Sequence, residues 1–117
     1  MRIVQDKILL EELKKMSEKM FGRIVKAVVD IEKEIMVVDA ELHSDQEALL
    51  LENESQQNNL WGINLKPEMF GSDRWIEFDS MINLRPSWGN KSRGVDDPKI
   101  QEKIRFIVGS WWCHDHP

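Results

Sequence analysis

The fold is decided by residues 74–94, which read RWIEFDSMINLRPSWGNKSRG. In the first half of this stretch, apolar and polar residues alternate as they do in a half-buried β-strand, which predicts a strand over 74–85. One side of the alternation holds Ile76, Phe78, Ser80, Ile82 and Leu84. The other side holds Glu77, Asp79, Met81, Asn83 and Arg85. The second half is a loop rich in Pro, Gly and Ser, and loops that follow a strand commonly carry binding groups.

One further strand, a strand pair and three helices are predicted from the rest of the chain. Residues 24–39 fit a helical stripe or strands, and their β-branched content favours two strands with a turn near 32–34. Residues 59–65 are predicted as a strand with Trp61, Ile63 and Leu65 on one face. This strand would lie next to the strand over 74–85.

The predicted helices are each indicated by apolar spacing or by a capping signal. Residues 9–21 carry apolar side chains at helical spacing. Ser44 and Glu47 have the spacing of a capping box, which predicts a short helix over 45–53. Asp97 and Pro98 are typical of the start of a helix, with Asp as N-cap and Pro at the first helical position.

This order of elements predicts one α+β domain over residues 1–117. The expected architecture is a two-layer sandwich, with a roughly four-stranded antiparallel sheet and three helices. The helices should cover the sheet face that bears Val29, Trp61, Ile63, Phe78 and Ile82.

Composition limits the function classes. The 117 residues have a net charge of −5, which makes nucleic acid an unlikely partner because phosphate backbones are bound by clustered Lys and Arg. Apolar runs are too short to span a membrane, and the N-terminus lacks the apolar core of a signal peptide. The single cysteine fits a reducing compartment, so a cytoplasmic location is expected.

Five runs of sequence carry a family resemblance: residues 27–30 (AVVD), 41–45 (ELHSD), 60–64 (LWGIN), 78–86 (FDSMINLRP) and 89–93 (GNKSR). In these runs the chain resembles a small prokaryotic family catalogued as a domain of unknown function. The family pattern commonly has glycines before the Glu-Leu-His and after the short helix, where this chain has Asp39-Ala40 and Glu54. The resemblance implies a common fold and no mechanism.

A polar patch on the sheet is the leading candidate site. Asp79, Asn83 and Arg85 would share one strand face, and Asn64 would join them from the neighbouring strand. An arginine beside amide groups suits a carboxylate or phosphate, and Asn90 and Arg93 in the following loop would form a rim. The alternative is an ordinary solvated sheet face. The leading hypothesis is a binding module for an anionic small molecule or partner, with no cofactor identified.

Glu41, His43 and Asp45 support a competing hypothesis. In an extended segment the three side chains point to the same side, where they could hold a divalent metal or orient His43 as the general base of a hydrolytic enzyme. The simpler interpretation is that Asp45 complements a helix dipole and that His43 bonds to backbone.

Tryptophans and the C-terminus give two weaker candidates. Exposed rings at Trp75 and Trp88 would favour a structural homo-oligomer such as a homodimer. Cys113, His114 and His116 form a crude zinc-like group, but no second Cys or His pair completes a tetrahedral site, so no metal is expected.

Overall fold

The computed structural model describes residues 1–20 and 23–112, with backbone only for the last two. The elements are β1 (Arg2–Val4), α1 (Leu10–Glu18), β2 (Val25–Asp30), β3 (Ile35–Val38), α2 (His43–Glu52), β4 (Leu60–Leu65), β5 (Ile76–Glu77) and α3 (Pro98–Trp112). The predicted α+β fold with an antiparallel sheet and three helices is confirmed. The sheet has five strands rather than four, because the N-terminal β1 was not predicted.

The strands are ordered β1-β3-β2-β4-β5, and every neighbouring pair is antiparallel. The predicted hairpin over 24–39 is confirmed as β2 and β3. Its turn contains no glycine, and the carboxylate of Asp30 stabilises it instead. Asp30 Oδ1 accepts from the backbone N–H groups of Glu32 and Lys33 at 2.9 Å each, and Oδ2 accepts from the Ser55 hydroxyl at 2.6 Å.

The sheet carries apolar side chains on both faces. The larger cluster joins α1 and α3 to the face that bears Val29, Trp61 and Ile63, with Phe78 packed against it as predicted. A smaller cluster lies on the opposite face, where Leu50 of α2 packs against strand residues. Ile82 contacts this second cluster, so its predicted place on the larger face is wrong.

The predicted strand over 74–85 is wrong beyond Glu77. Only Ile76 and Glu77 pair with β4, and residues 81–83 and 86–88 form 3₁₀ turns. The chain therefore leaves the sheet after two residues, and Asp79, Asn83 and Arg85 share no strand face. Trp75 is also not exposed as predicted, because it is 8% exposed and packs edge-on against Phe70 at 5.3 Å.

The ends of α2 differ from the expected capping pattern. The helix begins at His43 with Leu42 as N-cap, and no side chain caps it, so the capping box predicted at Ser44 is wrong. At the other end, Glu54 has φ 71°, and the N–H groups of Glu54 and Ser55 donate to Leu51 and Leu50. This is a Schellman motif in which a glutamate adopts the left-handed conformation that favours glycine.

Helix α3 begins as predicted, because Asp97 Oδ1 accepts from the backbone N–H of Lys99 at 2.8 Å. The predicted helix over 9–21 is shorter, and its last position lies outside the described residues. The group formed by Cys113, His114 and His116 also lies outside them. In the described part of the chain, no helix has both the length and the apolarity needed to cross a membrane.

Candidate functional site

Asn83 closes the free edge of β4. Its side-chain Oδ1 accepts from the N–H of Gly62 at 2.8 Å, and its Nδ2 donates to the carbonyl of Gly62 at 2.9 Å and to that of Arg93 at 3.0 Å. The amide thus bonds to both backbone groups of one residue, as a neighbouring strand would. Asn83 is 0% exposed and its two bonds to Gly62 are buried, so Asn83 is not available to a ligand.

Asn90 holds the loop that follows. Its Nδ2 lies within hydrogen-bond distance of the carbonyls of Asn83, Ser92 and Gly94, and its Oδ1 accepts from the N–H of Asp96 at 2.8 Å. With so many backbone partners, the amide of Asn90 positions the loop. It is not a free rim donor of the kind predicted from the sequence.

Arg85 lies between two tryptophans, where burial separates it from water. Its guanidinium carbon is 5.0 Å from the Trp61 ring centre and 5.6 Å from that of Trp88. Nη2 donates to the carbonyl of Leu60 at 2.6 Å and contacts Glu47 Oε2 at 3.4 Å. Burial lowers the pKa of Arg85 from its ordinary value, and Glu47 opposes that shift.

The hydrogen-bonding capacity of Arg85 is only partly used. Arg85 is 8% exposed, and neither Nε nor Nη1 has a hydrogen-bond partner. The indole Nε1 of Trp61 is likewise buried without a partner. Buried donors of this kind are rare in folded proteins, and a charged one is costly. These atoms therefore mark a place where the protein retains unsatisfied donors.

A cleft of about 620 Å³ adjoins these donors. It is lined by Gln57, Asn58, Trp61, Arg85, Trp88, Gly89, Asn90, Asp96, Asp97 and Ile100. Trp88, which is 56% exposed, forms the outer wall of the cleft, and Trp61, which is 5% exposed, forms the inner wall. Of the six ligand residues predicted from the sequence, only Arg85 and Asn90 line this cleft.

Three others line a second cavity of about 420 Å³ on the α2 side of the sheet: Asn64, Asp79 and Arg93. Asp79 and Arg93 form an exposed ion pair, with Oδ1 and Nε 2.8 Å apart. Asn64 donates to Glu77 Oε1 at 2.9 Å, and this bond is the main cause that lowers the pKa of Glu77. The predicted patch is thus divided between two cavities, with Asn83 in neither.

His43 also lines the second cavity, but its predicted carboxylate partners do not. Glu41 and Asp45 are exposed, whereas His43 is buried with Nε2 2.8 Å from the carbonyl oxygen of Ile63. Burial lowers the pKa of His43, with Lys26 and Arg93 contributing. Within residues 1–20 and 23–112, no three His, Cys, Asp or Glu side chains converge as metal ligands. His43 therefore bonds to backbone, as in the simpler interpretation of the sequence, and the group of Glu41, His43 and Asp45 does not form.

Two partners of Arg85 were missed by the sequence argument. Trp61 was assigned to the core, and Glu47 was assigned to a capping box, yet both contact the guanidinium. The sequence did contain a signal for the packing of residues 80–82 on the sheet. That signal is Gly62, because a glycine inside a strand often marks a close approach by another segment. A Cβ there would lie 2.5 Å from Ser80 Oγ, so residues 80–82 can pack onto the sheet only beside glycine.

Comparison with known proteins places the chain in a family. No curated protein and no solved structure matches it. Residues 2–111 match a family described as "Protein of unknown function (DUF5674)", which confirms the predicted membership of a family of unknown function. Because that match covers nearly the whole sequence, the chain belongs to this family.

Proposed function

We propose that this protein is a binding module for a small anionic ligand, held by Arg85 in the cleft between Trp61 and Trp88. The observation that carries the proposal is the under-compensated guanidinium of Arg85. It is buried, its one carboxylate contact is 3.4 Å long, and two of its nitrogens have no partner. A carboxylate or phosphate would supply both the charge and the acceptors that this group lacks.

The geometry of the guanidinium favours an oxyanion at one edge. Nη1 has no hydrogen-bond partner, and the bond from Nη2 to Glu47 is long at 3.4 Å. The guanidinium edge formed by Nη1 and Nη2 could therefore donate two parallel hydrogen bonds to an oxyanion. The bond from Nη2 to the Leu60 carbonyl fixes the plane of the group. An anion bound at this edge would displace Glu47, whose side chain is 15% exposed, towards water.

The tryptophan walls favour a ligand with a flat or apolar body. Trp61 and Trp88 both line the cleft, and Trp88 is 56% exposed. The flat body of the ligand would stack on these rings while its oxyanion bonds to Arg85, because aromatic side chains readily stack on planar groups. The single cysteine further supports a cytoplasmic location for this module.

The proposal is tested by titrating a panel of small carboxylates and phosphates, with tryptophan fluorescence and thermal shift as the two measurements. At least one anion should raise the melting temperature and change the fluorescence. Arg85→Lys and Trp88→Ala should each weaken binding about tenfold, equivalent to about 1.4 kcal/mol. Arg74→Ala, which removes an exposed arginine outside the cleft, is the matched control and should bind normally.

Two results would overturn this proposal. The first is that no anion in the panel changes either signal. The second is that Arg74→Ala weakens binding as much as Arg85→Lys, which would indicate a general charge effect. Light scattering distinguishes the binding module from the homodimer alternative. A homodimer would have about twice the 13.8 kDa monomer mass, and Trp88→Ser would return it to the monomer mass.

A further inference from the structure

The second cavity differs in chemistry from the cleft at Arg85. It lies between the start of α2 and residues 77–82, and it shares no lining residue with that cleft. Four charged side chains line it: Lys26, Glu77, Asp79 and Arg93. Because two are acidic and two are basic, the wall offers no net charge to an ion. A neutral polar group fits this balance better than an anion or a cation.

Asn64 lines this cavity and carries an unused hydrogen-bond acceptor. Its Nδ2 donates to Glu77 Oε1 and to the backbone carbonyl of Asp79 at 3.2 Å. Both partners can only accept, so the orientation of the amide is fixed and Oδ1 faces the other way. That oxygen is buried and has no partner, and Asn64 as a whole is 6% exposed. Such an acceptor needs an N–H or O–H donor.

His43 supplies a second acceptor. Its Nε2 lies 2.8 Å from the carbonyl oxygen of Ile63, and a carbonyl can only accept, so Nε2 carries the proton. In the neutral ring, Nδ1 is then an acceptor. Lys26, Asp79, Arg93 and the Ile63 carbonyl are the charged and polar groups that act on this ring.

The start of α2 supplies donors to the same cavity. Leu42, His43 and Ser44 line it, and the helix has no side-chain N-cap. The first N–H groups of an α-helix have no partner within the helix, so they are available to an acceptor from outside. Donors of the helix start therefore lie beside the acceptors of His43 and Asn64.

The geometry points to a second binding site, formed by His43, Asn64 and the first turn of α2, for a neutral amide-type group. Such a group joins a carbonyl acceptor to an N–H donor. The carbonyl would accept from the N–H groups of α2, and the N–H would donate to Asn64 Oδ1 and His43 Nδ1. This inference is independent of the anion site at Arg85.

Three probes of nearly equal shape test the chemistry: acetamide, acetate and acetamidinium. Acetate lacks the donor and acetamidinium lacks the acceptor, so only acetamide offers both. Two-dimensional ¹H–¹⁵N NMR at pH 7.5 would follow the Asn64 side-chain amide and the backbone amides of His43 and Ser44. Titrations should extend to concentrations on the order of tens of millimolar, as expected for so small a probe.

Acetamide should shift these signals saturably and bind about tenfold more tightly than either ion. His43→Phe should abolish the preference for acetamide, whereas Met81→Ala, which alters the same wall without touching an acceptor, should preserve it. Equal shifts with acetate or acetamidinium would overturn the inference, as would no saturable shift with acetamide. If His43→Phe does not fold, the comparison of the three probes on the unmodified protein decides the question.

Discussion

Replacing Asn83 with alanine should destabilise the protein far more than replacing an exposed asparagine. Asn83 is 0% exposed, and its amide is the partner of the N–H and carbonyl of Gly62 and of the carbonyl of Arg93. Alanine would leave the N–H and carbonyl of Gly62 buried and unpaired, whereas the carbonyl of Arg93 would keep its bond from the Ser80 N–H at 2.9 Å. Water cannot replace the amide unless the segment over residues 80–84 separates from β4.

The magnitude follows from the two backbone groups of Gly62. A buried donor or acceptor that loses its partner costs about 1–3 kcal/mol, and the two losses at one site do not add fully. We therefore expect Asn83→Ala to lower the free energy of unfolding by about 2–4 kcal/mol. That is a large part of the roughly 5–15 kcal/mol typical of a folded domain.

Urea unfolding followed by circular dichroism measures this loss, and hydrogen exchange locates it. The exchange rate of the Gly62 amide should increase most, because its acceptor is removed. Asn53→Ala is the matched control, since the exposed side chain of Asn53 makes one hydrogen bond, to the Leu49 carbonyl. The control should cost about 0.5–1 kcal/mol.

The isosteric change Asn83→Asp separates hydrogen bonding from packing. An ionised aspartate would place an acceptor against the carbonyls of Gly62 and Arg93, so it should destabilise at least as much as alanine at pH 7. A cost below about 1 kcal/mol for Asn83→Ala, no greater than that of Asn53→Ala, would refute the edge-closing role.

Three further predictions concern the sheet face, the end of α2 and the buried histidine. Gly62→Ala should cost about 1–3 kcal/mol, and Ser80→Gly, which removes both atoms nearest to the added Cβ, should restore part of it in urea unfolding. Glu54→Gly should stabilise by about 1 kcal/mol because it relieves a left-handed φ of 71°, whereas the control Glu52→Gly, inside the helix, should destabilise. Burial lowers the pKa of His43 in the folded state below its ordinary value of 6.5. At a pH between the folded and unfolded pKa values, the unfolded state therefore binds more protons than the folded state. The stability that His43 contributes is present above pH 6.5 and is lost as pH falls through the folded pKa, and His43→Gln should remove this component of the pH profile.

Several local signals were sufficient for most of the fold, and one failed at an informative segment. Apolar spacing predicted α1 and β4, β-branched content predicted the hairpin of β2 and β3, and capping or start signals predicted α2 and α3. The alternation over 74–85 is equally regular, yet the chain leaves the sheet after Glu77. Pattern alone cannot distinguish these cases, because the side-chain amide of Asn83 supplies the same donor and acceptor as a strand backbone. The low strand propensity of asparagine was the available warning.

The start of α2 was misplaced by two residues for a related reason. Ser44 and Glu47 have capping-box spacing, but Glu47 contacts Arg85, and the helix begins before Ser44. A local motif was overridden by a contact 38 residues away in sequence. The three-residue β1 was missed because it is too short to show alternation, and it becomes a strand only by pairing with β3.

Residue type identified the polar groups that matter, but only their partners separate structural from ligand-binding roles. The sequence analysis grouped Asn64, Asn83 and Asn90 as candidate ligand-binding residues. In the structure, the side-chain amides of Asn83 and Asn90 bond to backbone groups. The decisive difference is that Asn64 keeps a buried acceptor unpaired, as Arg85 keeps two donors unpaired. Unpaired buried groups lower stability, so a fold that carries them at Arg85 and at Asn64 would gain stability from ligands that complete them. The two proposed sites therefore require opposite chemistry, an anion at Arg85 and a hydrogen-bond donor at Asn64.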